Sequence, residues 1–390
     1  MKLQYNIPPL SEKELRFNSL RKEMAKHDLY ALIIGGKGHW WTGRGYFRYL
    51  TDFHLWGHDG LIYFPVEGEP YLVLSSDAVA KKIGRRGWIE NCEGSLDIGE
   101  KLLKFIDKKE IKGQKIGIVG EENIISYKDL HTIKDNLKIE TVSATAILDK
   151  VKMVKTEWEV NEIYKLWELA KYTMNQFQDN VLEYHNKNKS KIELSSDVTK
   201  ILWENGIRDL LIFYGDEIDK YSHPTNEKIN IENKIRYHLE ICGPSGHWLE
   251  ITKNLAFKNI HDTEQKIMND ELSVFDQMLK YMKPSVSLKQ AGLFYEKVLS
   301  ELGYEMHRQN SFDFHGQGLD TIEMPFYNSI IPNDSEDWDL KENVSISYHP
   351  KRLSLNKGIW STGINEDILV TGNGSVKFSK DWNHNWVQII

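Results

Sequence analysis

Cysteine is nearly absent from this sequence. The two that occur, Cys92 and Cys242, lie far apart in a chain of 390 residues and do not make a disulfide framework. Such sparse usage fits a reducing compartment. No apolar run approaches membrane-spanning length, and the stretch Met1 to Pro9 lacks the apolar core of a signal peptide. A positive surplus is missing too: 50 basic against 57 acidic residues leave a net charge of −7, which argues against a nucleic-acid polyanion as main partner. The densest basic cluster, Lys81-Lys82 with Arg85-Arg86, reads as a solvated helix end rather than a membrane patch. Gly117-Ile118-Val119-Gly120 lacks the full phosphate-loop pattern, and no internal repeat or low-complexity segment is found. A cytoplasmic protein that engages neither membrane nor nucleic acid is expected.

What is present is enough chain for two domains. Ser11 and Glu14 open a helix whose Leu15, Leu20 and Met24 recur at helical spacing over 11–27. Strand-type runs follow at Leu29–Ile34, Leu61–Phe64, Tyr71–Leu74 and Lys115–Val119. This alternation predicts an α/β amino-terminal domain over 1–150. Thr145–Lys155 reads as a linker. Beyond it, helices are predicted at Glu157–Glu183, Leu194–Glu204, Thr263–Met282 and Leu288–Leu302. Strands are expected to carry His238–Cys242, Leu249–Phe257, Asn343–Tyr348, Glu366–Thr371 and Trp386–Ile390. Helices that pair before and between antiparallel-looking strands make 151–390 an α+β domain.

Four side chains in that domain carry chemistry. Glu250, His315, His349 and Glu366 lie in or beside apolar, strand-like segments. A buried carboxylate needs a cation, a donor or a bound proton. Two Glu oxygens and two His nitrogens suit one divalent ion such as Zn, Mn or Fe. Spacing alone does not demand it, because the four are scattered over more than a hundred positions.

The motifs around them fall in a recognisable order: His315-Gly316-Gln317-Gly318, then His349-Pro350, then Glu366-Asp367 before an apolar strand ending in Val370-Thr371. The series resembles that of the pita-bread hydrolases, which include the methionine and proline aminopeptidases, prolidase and creatinase. The resemblance implies a pita-bread catalytic domain at 151–390 and ligands in the order Asp, Asp, His, Glu, Glu. On that pattern Glu250 takes the second Asp position, His315 the His, His349 the first Glu and Glu366 the second Glu. The first Asp falls on Leu239, which would abolish half of a dinuclear site. His238 and Glu240 flank Leu239 and are expected on the opposite sheet face.

Two enzymatic readings stay open. In the first, the chain resembles creatinase, which has the fold without a metal. It also carries Glu at the second Asp position and uses a His from an earlier loop. The matching loop here is Ser222-His223-Pro224-Thr225-Asn226, so His223 would be the general acid/base, while Glu250, His315 and Glu366 hold substrate and water. The expected activity is hydrolysis of a C–N bond in a small, polar, nitrogen-containing substrate. In the second, Glu250, His315, His349 and Glu366 hold one divalent ion for hydrolase or lyase chemistry. A third reading is a non-catalytic pita-bread binding protein, as in histone-chaperone subunits. The resemblance also implies a homodimer, in which an amino-terminal loop reaches the partner's site. Arg44, Arg48, Trp56 and His58 would then bind a substrate carboxylate or stack on it, with His349 beside them.

Overall fold

The computed structural model describes residues 8–38, 43–109, 111, 114–217, 220–232, 234–304, 314–327, 337–349 and 363–389. It resolves into two compact units, Ile7–Met153 with Gly318–Ile322, and Val154–Gln317 with Glu323–Ile390.

The first unit runs α1 (Leu10–Lys26), β1 (Leu29–Lys37), α2 (Arg44–Thr51), β2 (Asp59–Pro65), β3 (Tyr71–Leu74), α3 (Asp77–Gly84), β4 (Cys92–Gly94), α4 (Ile98–Ile106), β5 (Lys115–Val119), α5 (Tyr127–Asn136), β6 (Glu140–Ser143) and α6 (Thr145–Lys152). Its six-stranded sheet has the order β4-β3-β2-β1-β5-β6. The strands alternate apolar residues to both faces, as a doubly covered sheet requires. Leu32 and Ile34 of β1 pack with Phe17, Leu20 and Met24 of α1, whereas Ala31 and Ile33 pack with Leu102 of α4 and Ile133 of α5. The expected α/β class is found.

The linker expectation at Thr145–Lys155 is corrected, because residues 145–152 are helix α6. Its charges suggest a linker, yet they are satisfied inside the unit. Asp149 accepts from the Tyr46 hydroxyl at 2.8 Å, Lys152 lies 3.1 Å from Asp320, and Ile147 and Leu148 join the core.

The second unit runs α7 (Glu157–Asn186), α8 (Lys191–Glu204), β7 (Asp209–Glu217), β8 (Lys220–Ser222), β9 (Lys234–Cys242), β10 (Trp248–Ala256), α9 (Asp262–Tyr281), α10 (Leu288–Glu301), β11 (Phe314–Gly316), β12 (Glu323–Tyr327), β13 (Ser345–Tyr348), β14 (Glu366–Thr371), β15 (Gly374–Lys377) and β16 (Val387–Gln388). Thr156 and Glu159 close a capping box on α7, which fixes where this helix begins. Among the described residues there are two five-stranded sheets, β16-β10-β9-β7-β8 and β12-β11-β13-β14-β15. Ile235, Tyr237, Leu239 and Ile241 of β9 pack, with Leu249, Ile251 and Leu255 of β10, against α7 and α8. The intervening positions of both strands therefore face the other way.

Lys155 and Glu323 form a buried ion pair at 2.8 Å within this unit. Lys155→Met alone should cost about 3 kcal/mol, because it removes the ammonium from a buried carboxylate, whereas Lys155→Met with Glu323→Leu should recover most of that loss. Urea unfolding of the three proteins checks this; equal losses in the single and double variants would contradict it.

Candidate active site

Two antiparallel ladders place the polar side chains. Between β9 and β10, Glu240 stands opposite Glu250, Leu239 opposite Ile251 and His238 opposite Thr252. Directly opposed residues share a face. Leu239 is thus a core residue, fully buried under α7, and Glu240 is the residue that meets Glu250. The expectation that Leu239 occupies a ligand position is overturned, and so is the exclusion of His238 and Glu240. His238 Nε2 lies 3.2 Å from Glu240 Oε1, and its Nδ1 lies 3.0 Å from the Thr252 hydroxyl.

In the second sheet His315 stands opposite Ser347, and Ser347 opposite Asp367. The other row is Phe314, Tyr348 and Glu366. Glu366 therefore points away from His315. It is fully buried, where it accepts from the Ser379 amide at 3.0 Å and from the Ser379 hydroxyl, with His384 Nε2 3.0 Å away. Its expected place as a ligand is not the one the ladder gives it. Asn365 takes that place instead: its amide donates to Glu250 Oε2 at 3.3 Å, and its oxygen accepts from Thr252 at 2.8 Å. Asp367 accepts from Trp167 Nε1 at 3.1 Å. The terminal amide of Gln317 sits between the two carboxylates, one polar atom 3.4 Å from Glu250 Oε1 and the other 3.3 Å from Asp367 Oδ2.

The two ladders converge on Glu250. His315 Nε2 is 3.7 Å from Glu250 Oε1, and the His315 and His349 rings are 4.8 Å apart. Glu250, His315 and His349 each offer a donor atom within 4.8 Å of the others, and so do His238, Glu240 and Glu250. Burial pushes Glu250 far above the ordinary carboxylate range, and the negative charges of Glu240 and Asp367 push it further. Burial and Glu366 raise Asp367 likewise. Burial lowers His315, and burial with the neighbouring His315 and His238 holds His349 well below the usual imidazole range. Crowded carboxylates beside neutral imidazoles are a donor set that suits a divalent cation.

The remaining expected residues lie elsewhere. His223 is exposed, with Nδ1 3.1 Å from the Ile212 carbonyl. Its ring stacks on Phe213 at 5.0 Å, and Phe213 lies 6.0 Å from the His238 ring, so one aromatic side chain links His223 to the cluster. In the first unit Arg44 is buried with Nη1 3.1 Å from His54, and its guanidinium sits 5.8 Å from the ring of the exposed Trp56. Arg48 is buried and donates to the Asp52 carbonyl, so it is turned into its own unit. His58 Nδ1 lies 3.4 Å from the Ser75 hydroxyl. Trp40, Trp41 and Pro350 fall outside the described residues.

His238, Glu240, Asn365 and Asp367 escape a reading by motif. The signal that finds the first two is the strict alternation of Ile235, Tyr237, Leu239 and Ile241 with Arg236, His238 and Glu240, which puts Leu239 in the core before any motif is matched.

Comparison with known proteins agrees with this architecture. Residues 168–378 match metallopeptidase family M24, and residues 16–154 match the creatinase/prolidase N-terminal domain. A peptidase of Staphylococcus aureus (strain MRSA252), named as uncharacterized, is 21% identical over 278 residues, covering 69% of this chain and 72% of its own. The Xaa-Pro dipeptidase from Bacillus anthracis superposes with a TM-score of 0.76 at 17% identity, over 97% of this chain and 100% of that one. The prolidase from Pyrococcus horikoshii OT3 does so with a TM-score of 0.71 at 18% identity, over 94% and 99%. At such identities these structures establish the fold alone. No helix among the described residues is long and apolar enough to cross a membrane. With the family match running over more than half of the sequence, the chain belongs to metallopeptidase family M24, an α+β pita-bread domain joined to a creatinase/prolidase-type amino-terminal domain.

Proposed function

We propose that the protein is a hydrolase that cleaves a C–N bond of a small polar substrate, with one divalent ion held by Glu250, His315 and His349. The observation that carries this reading is the convergence of those three side chains, with donor atoms within 4.8 Å of one another. One carboxylate and two imidazoles fit Zn, Mn or Fe. Such an ion supplies Lewis-acid polarisation and lowers the pKa of water.

The chain's own groups are arranged to support this. The His315 Nδ1 proton goes to the Gly316 carbonyl at 2.8 Å, which leaves the Nε2 lone pair facing Glu250. Asn365 fixes the second oxygen of Glu250, so the carboxylate cannot swing out of the cluster. His223 Nδ1 likewise donates to the Ile212 carbonyl, which leaves Nε2 of this exposed residue as the atom that can carry a proton to a leaving nitrogen. We further assign the protein a homodimeric state, in which Arg44 and Trp56 of one protomer hold a substrate carboxylate for the other. The family's dipeptidase and prolidase members, matched in fold, make Xaa-Pro dipeptides the first substrates to assay.

The test is elemental analysis and metal titration of purified protein. His349→Ala should lose an equivalent of metal, and hydrolysis removed by chelation should return on adding Mn(II). Full hydrolysis after chelation would overturn the metal reading. It would favour the metal-free, creatinase-like reading, which the linkage of His223 through Phe213 to the cluster supports. In that case His223→Ala should abolish turnover.

A further inference from the structure

His223 sits on a segment with little of its own to hold it. Ser222, His223 and residues 225–228 are exposed, and Ile229 is the next buried side chain. On its amino-terminal side the segment is tied to β7. Ser222 stands opposite Tyr214 in the ladder, and His223 Nδ1 reaches the carbonyl of Ile212 on the same strand at 3.1 Å. On its carboxy-terminal side the ties run to the start of α8. The Lys191 amide donates to the Glu227 carbonyl at 2.9 Å, and the Ile192 amide to the Thr225 carbonyl at 3.0 Å. These are first-turn amides, which no carbonyl of their own helix can satisfy.

Backbone bonds in an exposed segment open easily. One side chain turns them into a closed frame. Lys191 Nζ lies 2.8 Å from Asp216, near the end of β7, and 2.8 Å from Glu227. The Lys191 side chain is only 9% exposed, that of Glu227 72%. An ion pair between two exposed side chains contributes little, because both must be ordered to make it. Here Asp216 and the Tyr214 ring, 5.3 Å away, already hold the ammonium, so Glu227 alone is drawn in. Strand β7 thus grips the segment at both ends. Ile212 accepts from His223, and Asp216 holds Glu227 through Lys191.

We propose that Lys191 is a positioning residue for His223: by bridging Asp216 and Glu227 it keeps the His223 ring on the Ile212 carbonyl and against the Phe213 face. That bond keeps the ring proton on Nδ1 and leaves the Nε2 lone pair outward. Without the bridge the segment swings into solvent, where no partner selects one ring nitrogen over the other. The inference rests on the proton-carrying role of His223 given above and adds the residue that sustains it.

Long-range proton–nitrogen NMR spectra of full-length protein labelled at the histidine ring nitrogens, taken at alkaline pH, test it. The His223 signals are those missing from His223→Ala. The wild type should show one tautomer, protonated on Nδ1. Lys191→Met should show both, and Lys191→Arg, whose guanidinium can still span two carboxylates, should restore the wild-type pattern. Glu227→Lys sets a second ammonium against Lys191 at an exposed position and leaves the Asp216 pair intact. It should give the same mixture, and it decides the matter if circular dichroism shows Lys191→Met to be misfolded. Wild-type His223 signals in whichever of the two variants folds would overturn the proposal. With Ala-Pro as substrate, Lys191→Met should lower kcat on the order of 100-fold at unchanged KM, and should cost nothing further in a His223→Ala background. A further loss there would show that Lys191 acts elsewhere and would also overturn it. Full turnover by His223→Ala would overturn the proton-carrying role of His223 instead, and the spectra alone would then decide what Lys191 holds.

Discussion

A Glu250→Gln variant stripped of metal is expected to melt several degrees above the wild type, while its turnover falls more than about 100-fold, beyond the loss usual for an outer-shell group. Glu250 is opposed by Glu240 across the ladder and faces Asp367. Like charges in direct opposition are destabilising, and burial raises the cost by pushing Glu250 and Asp367 above the ordinary carboxylate range. Glutamine keeps the shape and accepts from Asn365 without the charge, and its NH2 can donate to Gln317 once that amide turns its oxygen inward, the orientation that also lets Gln317 donate to Asp367. Relief of about 1–3 kcal/mol is expected from removing an incompletely compensated buried charge, and each kcal/mol is worth about 2–4 °C in a domain of about 150–250 residues.

The pH dependence has a definite sign. Because both carboxyls are raised on folding, the folded chain keeps protons that the unfolded chain has released above about pH 5. Wild-type stability in chelator should therefore fall as pH rises from there. Mn(II) binds the deprotonated groups and should oppose that fall. Melting curves from pH 5 to 8, with EDTA or Mn(II), check both statements. Were the variant to melt below the wild type in EDTA, Glu250 would be a satisfied structural acceptor and the cation-binding account of the cluster would fail. The expected pattern is a site that is costly to keep until a cation fills it.

Much of the architecture is legible in the sequence because it rests on long periodic signals. The apolar stripe Ile163, Leu166, Leu169 and Ala170 marks α7, and the β-type runs of the first unit lie where the sheet has them. The site is less legible because a strand's side chains have a period of two. A motif anchored one residue off puts every side chain on the wrong face. That happens twice: Leu239 is matched where Glu240 faces the site, and Glu366 where Asn365 does. Glu366 is retained in the sequence for a different reason, its bonds to Ser379 and His384. Those partners lie beyond β15 and can be assigned only in three dimensions. His315 and His349 follow the motif order because each lies on the inward row of its own segment. In Thr145–Lys152 the hidden partner is Asp320, far along the chain, so charges that satisfy one another inside the fold read as solvated ones.

Glu271→Gln should stabilise the protein strongly at alkaline pH and little at acid pH. Glu271 lies on α9, buried, and accepts from the Tyr295 hydroxyl of α10 at 3.2 Å, while its Oε2 has no hydrogen-bond partner among the described residues. Burial pushes its pKa up to about 8. The native chain therefore holds this proton across a range in which the unfolded chain has lost it. Stability falls by about 1.4 kcal/mol per pH unit from the ordinary glutamate value upward, on the order of 4 kcal/mol in total by pH 8. Glutamine reproduces the protonated acid and carries no such dependence. Urea midpoints of the two proteins should nearly coincide at pH 5 and separate widely at pH 8.5. A separation that is the same at both pH values would show that Glu271 does not titrate in this range. Tyr295 stands edge-on to Tyr348, the last residue of the strand that leads to His349, and the charge of Glu271 also acts on Tyr348. Ionising Glu271 thus loosens the packing behind His349, so loss of activity at high pH should track unfolding of this helix pair and should be delayed in Glu271→Gln.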